Sequence, residues 1–287
     1  MKGWVNNVKK NKFEIDMCNG SIMDKLISFS LPLMVSGILQ LAFNAVDIIV
    51  VGRFSGSQAL AAVGSTTALI NVFANLFIGI SLGANVLAAR FYAAGKDREM
   101  SETVHTSITL ALISGIMMAV IGVLLAKWAL EIMGTPDDVI GQSALYMRIY
   151  FMGMPFFMLY NYGAAILRAI GDTKRPLIFL IISGIANAAL NMILVILFHM
   201  GVAGVAIGTI ISQLISCVLV LICLYRSEGS YQLRFSKLKI NGAYMEQIFQ
   251  VGVPAGIQST VINLSNALLQ SSVNSFGSIA MAGYTAA

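Results

Sequence analysis

Seven long apolar segments follow one another along this 287-residue chain, and they limit its fold more than any other feature. Each is long enough to cross the hydrocarbon core of a bilayer, which takes about 20 helical residues. Every backbone amide inside lipid must be hydrogen-bonded within the protein, and these segments are too long for barrel strands, so all seven are predicted to be helices. The predicted spans are roughly 27–51, 60–89, 106–130, 143–169, 177–198, 202–225 and 246–274.

The composition agrees with an all-α, polytopic membrane protein that has the lipid bilayer as its solvent. Hydrophobic residues make up 57% of the chain and charged residues only 11%, whereas soluble domains carry about 25% charged residues. The net charge of +5 lies in short segments between apolar runs, a pattern that argues against a nucleic-acid partner. The chain has no GxxxxGK[ST] phosphate-binding motif, no nucleophile–base set and no metal-ligand cluster, so we predict neither an enzyme nor a bound cofactor.

Basic residues lie almost entirely on one side of the predicted spans. The N-terminal tail and the second, fourth and sixth loops hold 15 of the 18 Lys and Arg residues: Lys2, Lys9, Lys10, Lys12, Lys25, Arg90, Lys96, Arg98, Arg168, Lys174, Arg175, Arg226, Arg234, Lys237 and Lys239. The positive-inside rule therefore places the tail and the even-numbered loops in the cytoplasm. We predict a multi-pass protein of the cell (cytoplasmic) membrane with a cytoplasmic N-terminus.

The first span has a counterpart in the seventh. Leu31-Pro32 near the start of the first matches Val253-Pro254, Asn44 matches Asn266 at an offset of 222 residues, and the segments that begin at Gly56 and Gly277 also correspond. Both copies start on the same side, because six spans separate them. This pattern indicates a parallel pseudo-two-fold repeat about an axis along the membrane normal, as in several transporter folds.

The repeat predicts four regions. They are a cytoplasmic tail (1–25), an N-terminal six-helix lobe (26–225), a cytoplasmic inter-lobe connector (226–243) and the start of a C-terminal lobe (244–287). The second copy enters its second span where the sequence ends, so we expect one complete lobe and part of another. In the connector, apolar side chains such as Tyr231 and Leu233 alternate with basic ones, which favours a segment lying at the lipid headgroups.

One carboxylate lies well inside a predicted span. Ser36, Gln40, Asn44 and Asp47 fall within about 80° of one face of the first helix. An ionised Asp in a helix centre costs roughly 2.5–3.5 kcal/mol on insertion scales, so Asp47 is expected to face a cavity or a partner. The alternative is an interfacial aspartate, since Asp47 lies about one turn from the end of its span.

Amide and hydroxyl side chains form three further stripes. Alone, each would serve only to hydrogen-bond neighbouring helices, but four polar faces around one carboxylate indicate a wet central cavity. The stripes are Thr67, Asn71 and Asn75; Ser183, Asn187 and Asn191; and Thr209, Gln213 and Ser216.

The chain resembles the multidrug and toxic compound extrusion (MATE) family from about residue 20 to its end. The resemblance rests on Leu31-Pro32 through Asp47 to Arg53, on the segment 167–176 (LRAIGDTKRP) and on the segment 201–209 (GVAGVAIGT). It implies twelve helices in two six-helix lobes, and export of small organic cations, drugs or other amphiphiles in exchange for H⁺ or Na⁺.

The resemblance also implies roles for particular residues. Asp47 matches the central coupling-ion group, with Na⁺ a possible occupant there, and Pro32 matches a proline where the first helix bends. The other matching positions are Tyr146, Asn187 and Thr209 for the coupling ion, while the polar stripe Ser36, Gln40 and Asn44 is expected to line the substrate cavity.

Asn191 departs from the family pattern. Many relatives carry a second acid there, so the site of this chain has one carboxylate, which favours protons over Na⁺. Two other functions stay open: a lipid-linked precursor flippase of the same superfamily, and an inactive truncated fragment. No Lys or Arg lies in mid-span to hold a pyrophosphate, which argues against the flippase.

Overall fold

The computed structural model describes Ile15 and residues 21–286, and over this range the chain folds as a bundle of helices without strands. Most of the predicted tail, residues 1–14 and 16–20, lies outside the described residues. The helices are α1 (Ile22–Phe54), α2 (Gly56–Ala93), α3 (Asp97–Ile132), α4 (Asp137–Met152), α5 (Met154–Ala169), α6 (Lys174–Met192), α7 (Gly201–Arg226), α8 (Gly242–Asn274) and α9 (Ser278–Ala286).

Five of the described helices are long and apolar enough to cross a membrane, namely α1, α2, α3, α7 and α6 with its extension to Leu197. They confirm five of the seven predicted spans. The seventh span lies within α8, which has the length but carries polar residues such as Gln258, Asn263 and Asn266 among its apolar ones.

The fourth predicted span, 143–169, is wrong as a single helix. It is divided into α4 and α5 at Gly153, which ends one helix and begins the next. Pro155 stands in the first turn of α5, where its missing N–H costs nothing, whereas in a continuous helix it would remove a hydrogen bond. A Cβ at Gly153 would meet the side chains of Ile210 and Gln213, so this glycine also lets α7 come close.

The structure agrees with the internal repeat. α1 contains Pro32 and α8 contains Pro254, and each helix is followed by a turn and a further helix. Gly56 and Gly277 stand at equivalent points of these turns with φ of 87° and 89°, a left-handed conformation that favours glycine.

α8 packs closely against α2 through glycines on both helices. A Cβ on Gly79 would overlap the backbone of Gly256, and one on Gly83 would overlap the backbone of Ile248 and Gly252. Spacing of four residues puts each glycine pair on one helix face, which is the small-xxx-small arrangement that lets helices approach in lipid.

Both ends of α8 are hydrogen-bonded to α3. At its start, Asn241 donates from its side chain to Glu102 (2.7 Å) and from its backbone to the hydroxyl of Thr106 (3.2 Å). At its end, Ser271 and Asn274 both donate to the backbone carbonyl of Met133, at 3.2 and 3.1 Å. The first helix of the second copy is therefore held along its length by α2 and α3.

The segment 227–241 joins α7 to α8 and packs partly against protein, and its position at the lipid headgroups stays a prediction. Tyr231 and Leu233 are buried, and the Leu233 N–H donates to the carbonyl of Leu224 (3.0 Å). His105 of α3 accepts the backbone N–H of Arg234 at its Nε2 (3.1 Å). Tyr231 and Leu233 of the alternating pattern are thus buried, whereas Phe235 is exposed and stacks on Tyr225. The basic side chains of the segment are exposed.

Candidate functional site

The site forms where α1 meets α6. A Cβ on Gly184 would overlap the ring of Phe43, so this glycine lets α1 pack closely on α6. Four residues further along α1 and seven further along α6, Asn191 donates from Nδ2 to Asp47 Oδ1 at 2.5 Å. The two contacts follow the same direction in both helices, so α1 and α6 run parallel, and their register brings the carboxylate to the amide.

An amide chain leads from Asp47 to α7. Asn191 Nδ2 also approaches Asn187 Oδ1 (3.4 Å), and Asn187 Nδ2 in turn donates to Thr209 Oγ1 (3.4 Å). Thr209 donates to the carbonyl of Val205 (2.9 Å). Four residues proposed from the sequence on three helices, Asp47, Asn187, Asn191 and Thr209, are thus brought together.

Asn191 is fully buried and keeps one oxygen without a partner. Its Oδ1 has no hydrogen-bond donor among the described residues and lies over Gly208, where a Cβ would overlap it. Buried acceptors in proteins are nearly always satisfied, so this unpaired oxygen is an unusual feature of the site.

Two tyrosines of α4 complete the surroundings of the carboxylate. Tyr146 is buried, its ring centroid lies 6.1 Å from that of Tyr150, and both phenols are within electrostatic range of Asp47. Tyr146 was proposed from the sequence, but Tyr150 was missed. Its spacing of four residues from Tyr146 puts both on one helix face, and that spacing could have found it.

The polar stripe of α1, Ser36, Gln40 and Asn44, lies outside the cluster around Asp47. Ser36 donates to the carbonyl of Pro32 (2.8 Å), while Gln40 and Asn44 are exposed. Pro32 is buried within α1, which continues as one helix through it. These residues do not enter the hydrogen-bond chain from Asp47 to Thr209.

A widened helical turn directly follows Asn191. Residues Ile193–Leu197 form a π-helix that extends α6 before the chain turns at His199 and Gly201, both with positive φ. Such turns shift the register of a helix and are often found at functional sites. Here the turn comes two residues after the side chain that contacts Asp47.

The side chains at this site offer oxygen and amide groups around one carboxylate. Carboxylate, amide and hydroxyl oxygens are hard ligands that suit H⁺ or a hard cation rather than a transition metal. Among the described residues, no group of three or more His, Cys, Asp or Glu side chains could hold a metal ion. Asp47, which is partly buried, is the one carboxylate of the cluster.

Comparisons with known proteins identify the family. The MatE family model matches residues 32–193. The "Probable multidrug resistance protein YoeA" of Bacillus subtilis (strain 168) is 34% identical over 273 residues, which cover 92% of this chain and 58% of that protein. The "Multidrug export protein MepA" of Staphylococcus haemolyticus is 27% identical over 268 residues, 92% of this chain and 58% of the relative. The chain thus spans under two thirds of the length of these relatives.

Solved structures share the fold. An inward-facing structure of a MATE family transporter of the MOP superfamily matches with a TM-score of 0.81 and 21% identity, over 91% of this chain and 60% of the other. An outward-facing structure of such a transporter matches with a TM-score of 0.82 and 21% identity, over 90% and 57% of the two chains.

Proposed function

Because this chain belongs to the MatE family, whose model matches more than half of it, we propose that it forms the first lobe of a multidrug efflux antiporter. The transporter exports organic cations or amphiphilic compounds in exchange for H⁺ or Na⁺. The relatives named for multidrug resistance or export support this proposal, and so does the position of the carboxylate.

The observation that carries the proposal is the contact between Asp47 and Asn191. It places one carboxylate inside the bundle with a neutral amide as its hydrogen-bond partner. A single amide donor does not cancel a charge in a low-dielectric setting, so the carboxylate favours whatever small cation can reach it.

An exchange mechanism follows from the need to neutralise the Asp47 carboxylate. In one state of the transporter, a coupling ion neutralises Asp47, and in the other the carboxylate is free or paired with a cationic drug. Rocking of the lobes opens the site to alternate sides of the membrane. Drug and ion then compete for one negative charge.

The neutral amide at position 191 supports H⁺ as the coupling ion. With one carboxylate the cluster of Asp47, Asn187, Asn191 and Thr209 carries a single negative charge, which one proton removes. Na⁺ needs several oxygen ligands at once, and Asn191 turns its nitrogen rather than its oxygen toward Asp47.

The lobe organisation and topology are part of the proposal. We assign 26–225 to the first lobe, 226–243 to an inter-lobe connector in the cytoplasm and 244–287 to the start of the second lobe. The lipid flippase is less well supported. The cluster around Asp47 has one carboxylate and otherwise uncharged side chains, whereas binding a pyrophosphate would need cationic side chains in mid-span.

Ethidium efflux tests the proposal. Everted vesicles from cells that express the complete reading frame containing this chain are driven by a pH gradient or by a Na⁺ gradient in turn. We expect efflux under the pH gradient. Vesicles with the 287-residue chain alone show whether it is active by itself or is an inactive fragment.

Asp47→Asn imitates the protonated side chain and should abolish efflux, because the variant can no longer bind and release the ion. Asp24→Asn, at an exposed position of the same helix, is the matched control and should keep efflux. Undiminished efflux by a correctly inserted Asp47→Asn protein would refute the assignment.

A further inference from the structure

The bundle leaves a niche of about 130 Å³ between α2, α3 and α4, apart from the Asp47 cluster. Every side chain that lines it is apolar, so no group is present that would retain water. The lining residues are Phe73, Phe77, Met118, Ile121, Gly122, Leu125, Ala129, Met147 and Phe151.

The niche has a buried floor and an open rim. Met118, Met147 and Phe151 in the floor are almost fully buried, at 4%, 1% and 1% exposure. Ile121 and Leu125 at the rim are exposed on α3, which is one of the helices apolar enough to cross a membrane. The opening therefore lies among apolar surface, where the surroundings of a membrane protein are lipid.

The size and lining favour an aromatic ring. An apolar protein cavity of about 150 Å³ stays dry and holds benzene, so 130 Å³ suits a ring but not a whole drug. Phe73 and Phe151 stand edge to face with centroids 6.2 Å apart at 73°, which leaves ring faces and edges for a third ring. The sulfurs of Met118 and Met147 add contacts that favour ring edges. An alkyl chain gains neither kind of contact.

α4 separates this niche from the carboxylate. Met147 and Phe151 line the niche, while the preceding residues Tyr146 and Tyr150 face Asp47, about 100° away around the helix. A ring in the niche would thus contact the helix that carries both tyrosines, without touching the polar cluster itself.

We propose that the niche between α2, α3 and α4 is a binding site for one uncharged aromatic ring of benzene size, which enters from the bilayer. The site goes beyond the antiport proposed above and does not depend on it, since it needs only the folded bundle.

Photolabelling tests the site directly. The chain in liposomes is incubated with 3-phenyl-3-(trifluoromethyl)diazirine, irradiated and digested, and adducts are located by mass spectrometry. Adducts at Met118, Met147 and Phe151 should saturate with probe concentration and fall with excess toluene. Adducts at Leu124, which is 72% exposed on α3, report simple partition into lipid and should rise in proportion to the probe.

Substitutions that fill the niche with a larger side chain should reduce photolabelling of its floor. Ala129→Phe puts a ring into the niche and should reduce labelling of the floor at least fivefold, whereas Leu124→Phe adds a ring on the exposed face of the same helix and should leave it unchanged. Ala129→Leu fills less of the niche and should reduce labelling of the floor about twofold. It takes the place of Ala129→Phe if Ala129→Phe fails to fold.

Three results would overturn the proposal. They are floor labelling that never saturates, floor labelling that survives either filling variant in a folded protein, and competition by hexane that equals competition by toluene. The last would make the niche a groove for lipid chains.

Discussion

At the scale of single residues, the contact of the Asp47 carboxylate with the neutral amide of Asn191 is the feature that most affects what this lobe can do. Asn191 contacts Asp47 through its nitrogen, while its oxygen stays buried over Gly208 without a donor. Because Gly208 on α7 has no Cβ, there is room for the Asn191 side chain in this position. Gly208 thus positions Asn191, which in turn positions the carboxylate.

Gly208→Ala should separate Asn191 from Asp47. The added methyl group would overlap Asn191 Oδ1, so we expect a loss of about 1–3 kcal/mol of stability from overpacking and a loss of efflux of tenfold or more. Gly37→Ala is the matched control, since a Cβ there meets nothing and should leave both unchanged. Thermal unfolding in detergent and ethidium efflux measure the two effects, and full efflux by Gly208→Ala would exclude the positioning role.

Much of the site was predictable from residue type and spacing, but its pairing was not. The i, i+4 stripe of Asn187 and Asn191 identified the polar face of α6, and the cost of burying a charge singled out Asp47. Which stripe meets the carboxylate depends on the register of α1 against α6. That register is set by the packing of Phe43 on Gly184, and no local pattern encodes it.

At the scale of helices, the sequence predicted the spans well because lipid leaves the backbone no other choice. The prediction failed at Gly153, where hydrophobicity continues unbroken while the backbone does not. Pro155 was the available sign, since a proline often begins a helix in its first turn. In the connector, the alternating pattern did not reveal that Tyr231 and Leu233 are buried against protein, because such a pattern fits a protein surface as well as a lipid surface.

The crossing of α2 and α8 offers a test at this scale. Gly79→Ala would force its methyl group into the backbone of Gly256, which cannot turn aside as a side chain could, so the unfolding midpoint should fall by several degrees for a loss of about 1–3 kcal/mol. Gly141→Ala, in open space on α4, should keep the wild-type midpoint. Equal midpoints for both variants, measured by thermal size-exclusion chromatography, would show that the close approach contributes nothing to stability.

At the scale of the whole molecule, the basic loops predict the orientation of the chain. Ser236→Cys in the connector should react with a membrane-impermeant maleimide only in everted vesicles, and Asp138→Cys at the start of α4 only in intact cells. Both positions are exposed, and Cys18, Cys217 and Cys223 are first replaced by Ala. The reverse labelling pattern would place the N-terminus outside and refute the assigned topology.

The connector has a consequence for how the two copies of the repeat stay together. The close glycine contacts of α2 and α8 have no hydrophobic driving force between helices in lipid, and they depend on van der Waals packing. The segment 227–241, docked on α3 through His105 and Thr106, makes the encounter of α8 with α2 intramolecular. A short tether gives its ends an effective concentration on the order of millimolar, which favours the crossing without adding a contact to it. Cutting the connector should therefore lower the effective concentration of α8 at α2, although the contacts between the two helices stay the same.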